Sequence, residues 1–222
     1  MRKIDPKLRE QMRKTYAQKL MSIIRVQGFN SLKIQDIAEH MQISKATLYN
    51  YFSSKEEILN EITVNYIEYF KQGEQTIENN QFTYIERFQK VFEQEVLTAI
   101  YISELFLEEL KIGFPNLYEE IIFARRKRKT TIKYFYEQGM KEGVFHSLNP
   151  QILLMQDEVA LRKLLEPTYL LEEGLTTKQA LLDYYEAKKI QIIKSETLLS
   201  ASDEAMTEII EHLSRKLATS YL

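Results

Sequence analysis

The 222-residue sequence contains no cysteine, and this absence excludes disulfide bonds, thiolate metal sites and cysteine nucleophiles. Its three histidines are far apart, at positions 40, 146 and 212, and provide little for a histidine-based zinc site. No apolar run approaches the roughly 18 residues that span a bilayer, and the charged amino terminus has no apolar segment typical of a secretory signal. We therefore expect a cytoplasmic protein without a membrane span, metal site or cofactor.

Glycine and proline are also scarce, with six and four residues respectively. Neither residue occurs between Gly28 and Gly73, nor from Leu175 to Leu222. Strands that are joined by tight turns need more of both residues than this. The sequence therefore predicts an all-α fold, and its 44% hydrophobic and 28% charged residues are ordinary for a folded globular chain.

The spacing of apolar residues predicts a first helix over residues 6–27, in which Pro6 suits the first turn and Gly28 the carboxy-terminal cap. Two short helices are expected at 34–40 and 45–51. Longer helices are expected at 55–72, 82–94, 96–112, 116–139, 151–166, 176–195 and 203–219.

Charge is distributed unevenly along the chain. The net charge is −2 overall, but residues 1–55 carry a net +7 and residues 56–222 a net −9. A basic amino-terminal quarter on an acidic body suggests two regions with different partners. The alternative is a chance unevenness on solvated helix faces.

Residues 34–52 have the pattern of a helix-turn-helix, because two short helices are separated by only three residues. Ala38 supplies a small side chain where the helices cross, and Ser44 is placed to cap the second helix near Thr47. A helix of this width fits the major groove of B-DNA, where residues at its amino-terminal end reach the base edges. The exposed face of the second helix would present Lys45, Ala46, Thr47, Tyr49 and Asn50.

Three strings together carry a resemblance to a known family: Gly28-Phe29, then IQDIAEHM, then ISKATLYNYFSSKEEIL. They resemble the DNA-binding domain of the TetR family of bacterial transcriptional regulators, in detail over residues 8–62. Beyond residue 62 the resemblance is architectural, through length, helical content and the stretch at 137–150. Two positions depart from the family pattern: Gln42 stands where the inter-helix turn usually has Gly, and Lys33 stands where the first short helix usually starts with Thr or Ser.

The resemblance implies a helix-turn-helix DNA-binding domain at residues 1–55, followed by a helical effector-binding and dimerisation domain at 56–222. It assigns base contacts to the start and exposed face of the recognition helix, at Lys45, Ala46, Tyr49 and Asn50. Lys45 could donate to guanine O6 and N7, and Ala46 could contact a thymine methyl group. Tyr49 could reach a base or the DNA backbone.

Phosphate contacts are implied for a second group, which fixes register without reading sequence. This group comprises Thr47, Tyr51, Lys55 and Lys33. For Tyr49 and Tyr51 the alternative is packing against the first helix, and for Lys45 and Lys55 it is simple solubility.

The acidic body is rich in aromatic residues. In the TetR family the middle helices enclose a ligand pocket, so the resemblance implies a small, mostly apolar effector. The candidate lining residues are Phe70, Phe88, Phe92, Tyr101, Phe106, Tyr118, Phe123 and Tyr134. The alternative is that these rings fill the core, because pockets in helical bundles are lined by the same residue types.

Charged residues of the body leave two further alternatives open. Glu104, Glu108 and Glu109 could face a cationic ligand or be solvated. The basic run RRKRK at 125–129 could bind nucleic acid, form a solvated helix face, or pair with the acidic helices near 93–120.

Family members dimerise through late helices that pack as a four-helix bundle, and two recognition helices one DNA turn apart read a palindrome. The candidate interface residues are Leu153, Leu154, Leu161, Leu164, Leu165, Ile209, Ile210, Leu213 and Leu217. Pro167 is expected to end or kink the earlier helix, and the helix at 176–195 is an addition.

Taken together, the sequence predicts a ligand-responsive homodimeric regulator, a repressor that binds a palindromic double-stranded DNA operator. Effector binding would shift the helix at 55–72, change the separation of the two DNA-binding domains and release the operator. Two alternatives are an enzyme and a helical protein-interaction module with a degenerate helix-turn-helix. The chain lacks a Gly-rich phosphate loop, a Ser/His/Asp set and a paired metal-binding carboxylate motif, so we do not expect an enzyme.

Overall fold

The computed structural model describes residues 5–198 and 202–220, which form twelve α-helices and no β-strand. The predicted all-α class is thereby confirmed. The helices are α1 (Pro6–Gln27), α2 (Ile34–Met41), α3 (Lys45–Tyr51), α4 (Lys55–Glu78), α5 (Tyr84–Tyr101), α6 (Glu104–Gly113), α7 (Pro115–Lys141), α8 (Pro150–Leu164), α9 (Pro167–Glu172), α10 (Thr177–Ile192), α11 (Ser195–Leu198) and α12 (Glu204–Ser220).

The bounds of α1 and α3 match the prediction because both helices begin and end at strong local signals. The Lys7 amide donates to Asp5 Oδ1 at 2.8 Å, which caps α1, and Gly28 ends this helix with φ 74°. The predicted break near residue 95 is wrong, since α5 continues to Tyr101. The short helices α9 and α11 were not predicted. Helix α8 ends at Leu164, just before Pro167 as expected, and Pro167 occupies the first turn of α9.

The chain divides into two compact units. Unit 1 contains the residues up to Lys71 together with Tyr101–Arg125, and unit 2 contains Gln72–Ile100 together with the residues from Arg126 onward. The predicted domain boundary after residue 55 coincides with the first residue of α4, and it stays a prediction.

The core of unit 1 forms around α1. Leu20 and Ile24 of α1 are fully buried, as are Ile37 of α2 and Phe52 just after α3, and Leu48 of α3 is almost fully buried. They belong to one apolar cluster that joins α1, α2 and α3. Each large aliphatic or aromatic side chain buried in this way contributes about 1.5–3 kcal/mol to folding.

The guanidinium group of Arg13 joins three elements of unit 1. It forms ion pairs with Glu57 and Glu61 of α4, donates to the Tyr51 carbonyl at 3.0 Å, and lies 4.8 Å above the Phe52 ring. The bond from Arg13, together with the amide and hydroxyl of Ser53, lowers the pKa of Glu57 to about 2. Arg13 therefore fixes α1 against the end of α3 and the start of α4.

We predict that Arg13→Ala lowers the free energy of unfolding by about 2 kcal/mol, because several charge-assisted hydrogen bonds are lost from a largely buried group. Lys14→Ala is the matched control, because Lys14 pairs with Glu68 at a site where both side chains are about two-fifths exposed. This control should cost at most about 0.5 kcal/mol. Urea denaturation measures both values.

The same comparison has a pH dependence with a defined sign. The folded-state pKa of Glu57 lies below its ordinary value of 4.5, so its contribution is present above about pH 4.5 and is lost as pH falls toward 2. The difference in unfolding free energy between wild type and Arg13→Ala should therefore become smaller as pH falls through this range. Equal destabilisation by Arg13→Ala and Lys14→Ala would contradict the role given to Arg13.

Unit 2 has an aromatic core and buried charges. Phe88 and Phe92 pack against Tyr185 at ring-centroid distances of 6.0 and 5.2 Å, and Phe135 packs against Phe145 at 5.4 Å. Backbone hydrogen bonds from the amides of His146 and Lys194 join the 144–146 segment to the 192–194 segment.

Three residues of the basic run at 125–129 pair with acidic residues of unit 2. Arg128 is buried and donates to Glu95 Oε1 at 2.6 Å and to Gln94 Oε1 at 3.3 Å. Lys127 pairs with Glu74 and Lys129 with Glu158, at 2.9 and 2.7 Å. The interpretation as a solvated face is therefore wrong for Arg128, and pairing with the acidic helix near residue 93 is confirmed for Glu95.

A second buried pair links α8 to α10. Lys188 Nζ lies 3.1 Å from Asp157 Oδ1, and the Tyr184 hydroxyl donates to the same oxygen at 2.8 Å. Burial raises the pKa of Asp157 to about 6, although the Lys188 ammonium opposes this rise. Burial likewise raises the pKa of Tyr184 well above its ordinary range.

We predict a stability difference between wild type and Asp157→Asn that depends on pH. The folded-state pKa near 6 exceeds the ordinary value of 3.8, so between these values only the folded state holds the proton. Wild type should therefore gain stability relative to Asp157→Asn as pH falls from about 7 to about 5. Asp183→Asn, at an exposed position of α10, is the control, and a pH-independent difference for Asp157→Asn would contradict the prediction.

Candidate nucleic-acid interface

The turn between α2 and α3 has the backbone geometry of a helix-turn-helix. Gln42 adopts the left-handed conformation, with φ 60° and ψ 43°, and the Ile43 amide donates to the Ala38 carbonyl at 2.9 Å. Lys19 of α1 supports this turn by donating to the Met41 carbonyl at 3.1 Å and to Gln42 Oε1 at 2.9 Å. The position normally held by Gly thus keeps its conformation with a larger side chain.

The start of the recognition helix α3 is capped by Ser44, as predicted. Ser44 Oγ accepts from the Thr47 amide at 3.0 Å and lies 2.9 Å from the Thr47 hydroxyl. The residues on the outer face of α3, namely Lys45, Ala46, Tyr49 and Asn50, are exposed, and Thr47 is half-buried. The side chains assigned to base contacts are therefore all accessible.

Lys33 precedes α2 and is exposed. Its backbone amide donates to Asp36 Oδ2 at 2.8 Å, so a carboxylate of the first turn bonds the helix start in the absence of a hydroxyl cap. Within residues 5–198 and 202–220, neither Lys33 nor Lys45 forms an ion pair, and both ammonium groups remain available to an external anion.

Tyr51 differs from the other residues assigned to DNA. Only 8% of its surface is exposed, and its ring meets that of Tyr16 edge to face at 5.1 Å. Burial and contact with Tyr51 raise the pKa of Tyr16. The ring of Tyr51 therefore packs against α1, as the alternative for this residue proposed.

The carboxy-terminal end of α3 is held by two arginines of α1. Arg9 Nη2 donates to the carbonyls of Asn50 and Tyr51 at 3.4 and 3.1 Å, and Arg13 donates to the latter carbonyl as well. Cations at a helix carboxy terminus interact favourably with its dipole. Sequence reasoning missed Arg9, Arg13 and Lys19, although the i, i+4 spacing of the two arginines was a usable signal.

Lys55, at the start of α4, is partly buried. Its Nζ lies 4.8 Å from the centre of the Phe29 ring and 3.4 Å from the Asn30 carbonyl, to which it donates. Burial lowers the pKa of Lys55, whereas the carboxylates of Glu109 and Asp36 oppose that change. Lys55 is therefore held against the turn between α1 and α2.

The predicted pocket residues fall into different environments. Phe70 and Phe106 of unit 1 and Phe88 and Phe92 of unit 2 are buried in the cores, whereas Tyr101 and Tyr118 are partly exposed. Phe123 and Tyr134 are 71% and 61% exposed.

Tyr134 lines a cleft of about 280 Å³ in unit 2. The other residues that define this cleft include Ile77, Glu78, Tyr84, Arg87 and Phe135. The Arg87 guanidinium lies over the rings of Tyr84 and Phe135, at 4.3 and 5.4 Å from their centres.

Most of the predicted dimer residues are buried within unit 2 itself. These are Leu153, Leu154, Leu161, Leu165, Ile210, Leu213 and Leu217, whereas Leu164 and Ile209 are partly exposed. The accessible apolar side chains of the same region lie elsewhere on the helices, at Ile152, Met155 and Val159 of α8 and Ile190 of α10. Sequence periodicity located the apolar stripe of α8 that faces the core and missed the one that faces outward.

Comparisons with known proteins agree with this geometry. Residues 21–62 match the family model described as bacterial regulatory proteins, tetR family. The ketosteroid transcriptional regulator KstR2 of Mycobacterium tuberculosis is 18% identical, with a TM-score of 0.59 over 87% of this chain and 98% of that chain. A transcriptional regulator from Saccharomonospora viridis, in complex with choline, is 18% identical, with a TM-score of 0.59 over 83% and 98%.

A fatty acid metabolism regulator from Clostridium perfringens is also 18% identical, with a TM-score of 0.55 over 82% of this chain and 100% of that chain. The comparison with curated proteins gives no significant match. Among the described residues, no helix has the length and apolar character needed to cross a bilayer. Residues 21–62 are therefore similar to bacterial regulatory proteins of the tetR family, and the chain shares its overall fold with these solved structures.

Proposed function

We propose that the protein is a ligand-responsive homodimeric repressor that binds a palindromic DNA operator through α3. The observation that carries this proposal is the outer face of α3, where Lys45 and Ala46 lead an exposed helix whose cap, turn and far end are all fixed by other residues. A helix presented in this way fits the major groove of DNA.

The proposed DNA contacts divide by chemistry. Lys45 donates to guanine O6 and N7, Ala46 contacts a thymine methyl group, and Tyr49 and Asn50 reach neighbouring base edges. Lys33, Thr47 and Lys55 contact phosphates and set the register. The buried ring of Tyr51 leaves at most its hydroxyl for a phosphate, so we place it last among these contacts.

We predict that Lys45→Ala reduces discrimination between the operator and unrelated DNA by about tenfold, since one base contact is worth about 1–3 kcal/mol. Lys33→Ala should instead weaken binding to both kinds of DNA and reduce the dependence of affinity on salt by about one counterion. Footprinting on DNA around the protein's own gene identifies the operator, and fluorescence anisotropy over a salt series measures the affinities.

Lys163→Ala serves as the control, because Lys163 is an exposed residue of α8 that pairs with Glu166. This variant should leave operator affinity and its salt dependence unchanged. Wild-type binding that is independent of salt and shows no preferred sequence would contradict the proposed function.

For the homodimer, we propose the outward faces of α8 and α10 as the interface. They border a cleft of about 490 Å³ whose lining includes Met155, Val159, Tyr184 and Ala187. Ile152, Met155 and Val159 recur at three- and four-residue spacing on α8 and would bury an apolar stripe against a second copy.

We predict that Val159→Glu converts the protein from a dimer of twice 26.4 kDa into a monomer, because a carboxylate would be desolvated at the centre of the interface. Sedimentation or light scattering measures the mass. Leu171→Glu is the matched control, since Leu171 is 81% exposed on α9 and should tolerate the charge. A Val159→Glu variant that stays dimeric would place the interface elsewhere.

We place a small effector in the cleft beside Tyr134, which has both apolar and charged lining residues. Ile77 and Glu78 in its lining belong to the last turn of α4, and Lys55 is the first residue of the same continuous helix. A ligand that contacts one end of α4 can therefore shift its other end, which follows directly after the helix-turn-helix. By linkage, the effector must bind more tightly to the conformation that releases DNA.

A further inference from the structure

Glu109 of α6 carries a carboxylate that binds the turn after α1. Its Oε2 accepts from the Phe29 amide at 2.5 Å, and the Asn30 amide lies 3.2 and 3.3 Å from the two carboxylate oxygens. Two consecutive backbone N–H groups that converge on one carboxylate form a charge-assisted anion site. Glu109 is therefore half-buried and bonded to the backbone, so neither a fully solvated side chain nor one that faces a cationic ligand describes it.

Gly28 makes this approach possible. A Cβ atom at position 28 would overlap with the carboxylate of Glu109, and the positive φ of 74° disfavours any side chain there. The glycine that ends α1 thus has a second use, since it opens the space through which α6 reaches the backbone of the turn.

The turn bound by Glu109 also holds part of the proposed phosphate-binding group. Lys55 donates to the Asn30 carbonyl and lies over the Phe29 ring, so it contacts the same two residues whose amides bond Glu109. Lys33 follows three residues after Asn30 and begins the approach to α2. One carboxylate on α6 therefore fixes the segment that places two of the proposed phosphate contacts.

We infer that Glu109 is a positioning residue through which α6 controls the DNA-binding competence of the helix-turn-helix. The inference rests on the proposed function. When α6 is in the observed position, Glu109 holds residues 28–30 and with them Lys55. Any movement of α6 that withdraws the carboxylate frees two amides and loosens the segment that leads into α2.

Two substitutions at position 109 separate the hydrogen bonds from the charge. Glu109→Gln keeps an acceptor oxygen within reach of the Phe29 amide but removes the negative charge near Lys55. Glu109→Ala removes both. Glu108→Gln and Glu108→Ala are the matched control pair, since Glu108 is the exposed neighbour on α6. All four variants are made in the full-length chain.

Operator affinity and amide exchange are measured on the same proteins. We expect Glu109→Ala to bind operator about tenfold more weakly than Glu109→Gln. The peptide containing Phe29 and Asn30 should exchange about tenfold faster in Glu109→Ala than in Glu109→Gln. The Glu108 pair should give equal affinities and equal exchange rates. Melting temperatures are recorded alongside, and a merely structural role would lower them without changing operator affinity.

The outcomes distinguish this inference from the proposed function. If wild type shows no preferred DNA sequence, the proposed function fails and the DNA-binding role of Glu109 fails with it. If wild type binds its operator but Glu109→Ala and Glu109→Gln bind equally well, only the inference is overturned. Faster exchange at Phe29 and Asn30 without a change in operator affinity would likewise overturn it, since the bond would then serve folding alone.

Discussion

The guanidinium group of Arg13 is the interaction on which the rest of the helix-turn-helix region depends. It is the point where α1, the end of α3 and the first turns of α4 meet, through two carboxylates, one carbonyl and one aromatic ring. A short helix such as α3 has little stability of its own, so its direction is set by what holds its ends. Because Arg13 binds α4 as well, the orientation of the outer face of α3 is tied to that long helix.

The net charge of residues 1–55 overstates how many basic side chains are available to contact DNA. Several basic residues of the first 55 are already engaged with the protein: Arg9 and Arg13 bind the end of α3, and Lys14 pairs with Glu68. Lys33 and Lys45 face outward without such partners among the described residues. In unit 2 the basic run is engaged in the same way, with Arg128 inside the bundle. Position within the fold, rather than the count of charges, therefore separates structural cations from those available to phosphate.

The sequence predicts correctly those helix ends that local signals determine. Asp5, Pro6 and Gly28 determine the ends of α1, and Ser44 determines the start of α3, so these bounds agree with the structure. Where tertiary contacts decide, the prediction failed: α5 continues through residue 95, whose side chain is buried against Arg128. Which ring is buried depends on the neighbouring helix, so Tyr51 and Tyr49 could not be told apart. Glu109 bonds the amides of Phe29 and Asn30, which lie 80 and 79 positions earlier in the chain. No local sequence pattern encodes this bond.

The two departures from the family pattern are the basis for the alternative of a degenerate helix-turn-helix, and their geometry argues against it. A non-Gly residue in the left-handed region costs on the order of 1 kcal/mol. Gln42 nevertheless adopts that conformation, and its side chain accepts from Lys19, which also bonds the last carbonyl of α2. At the start of α2, Asp36 bonds the Lys33 amide and leaves the lysine side chain free for solvent or phosphate. Each departure is thus offset by a contact that keeps the backbone of the motif, so the helix-turn-helix geometry survives both substitutions.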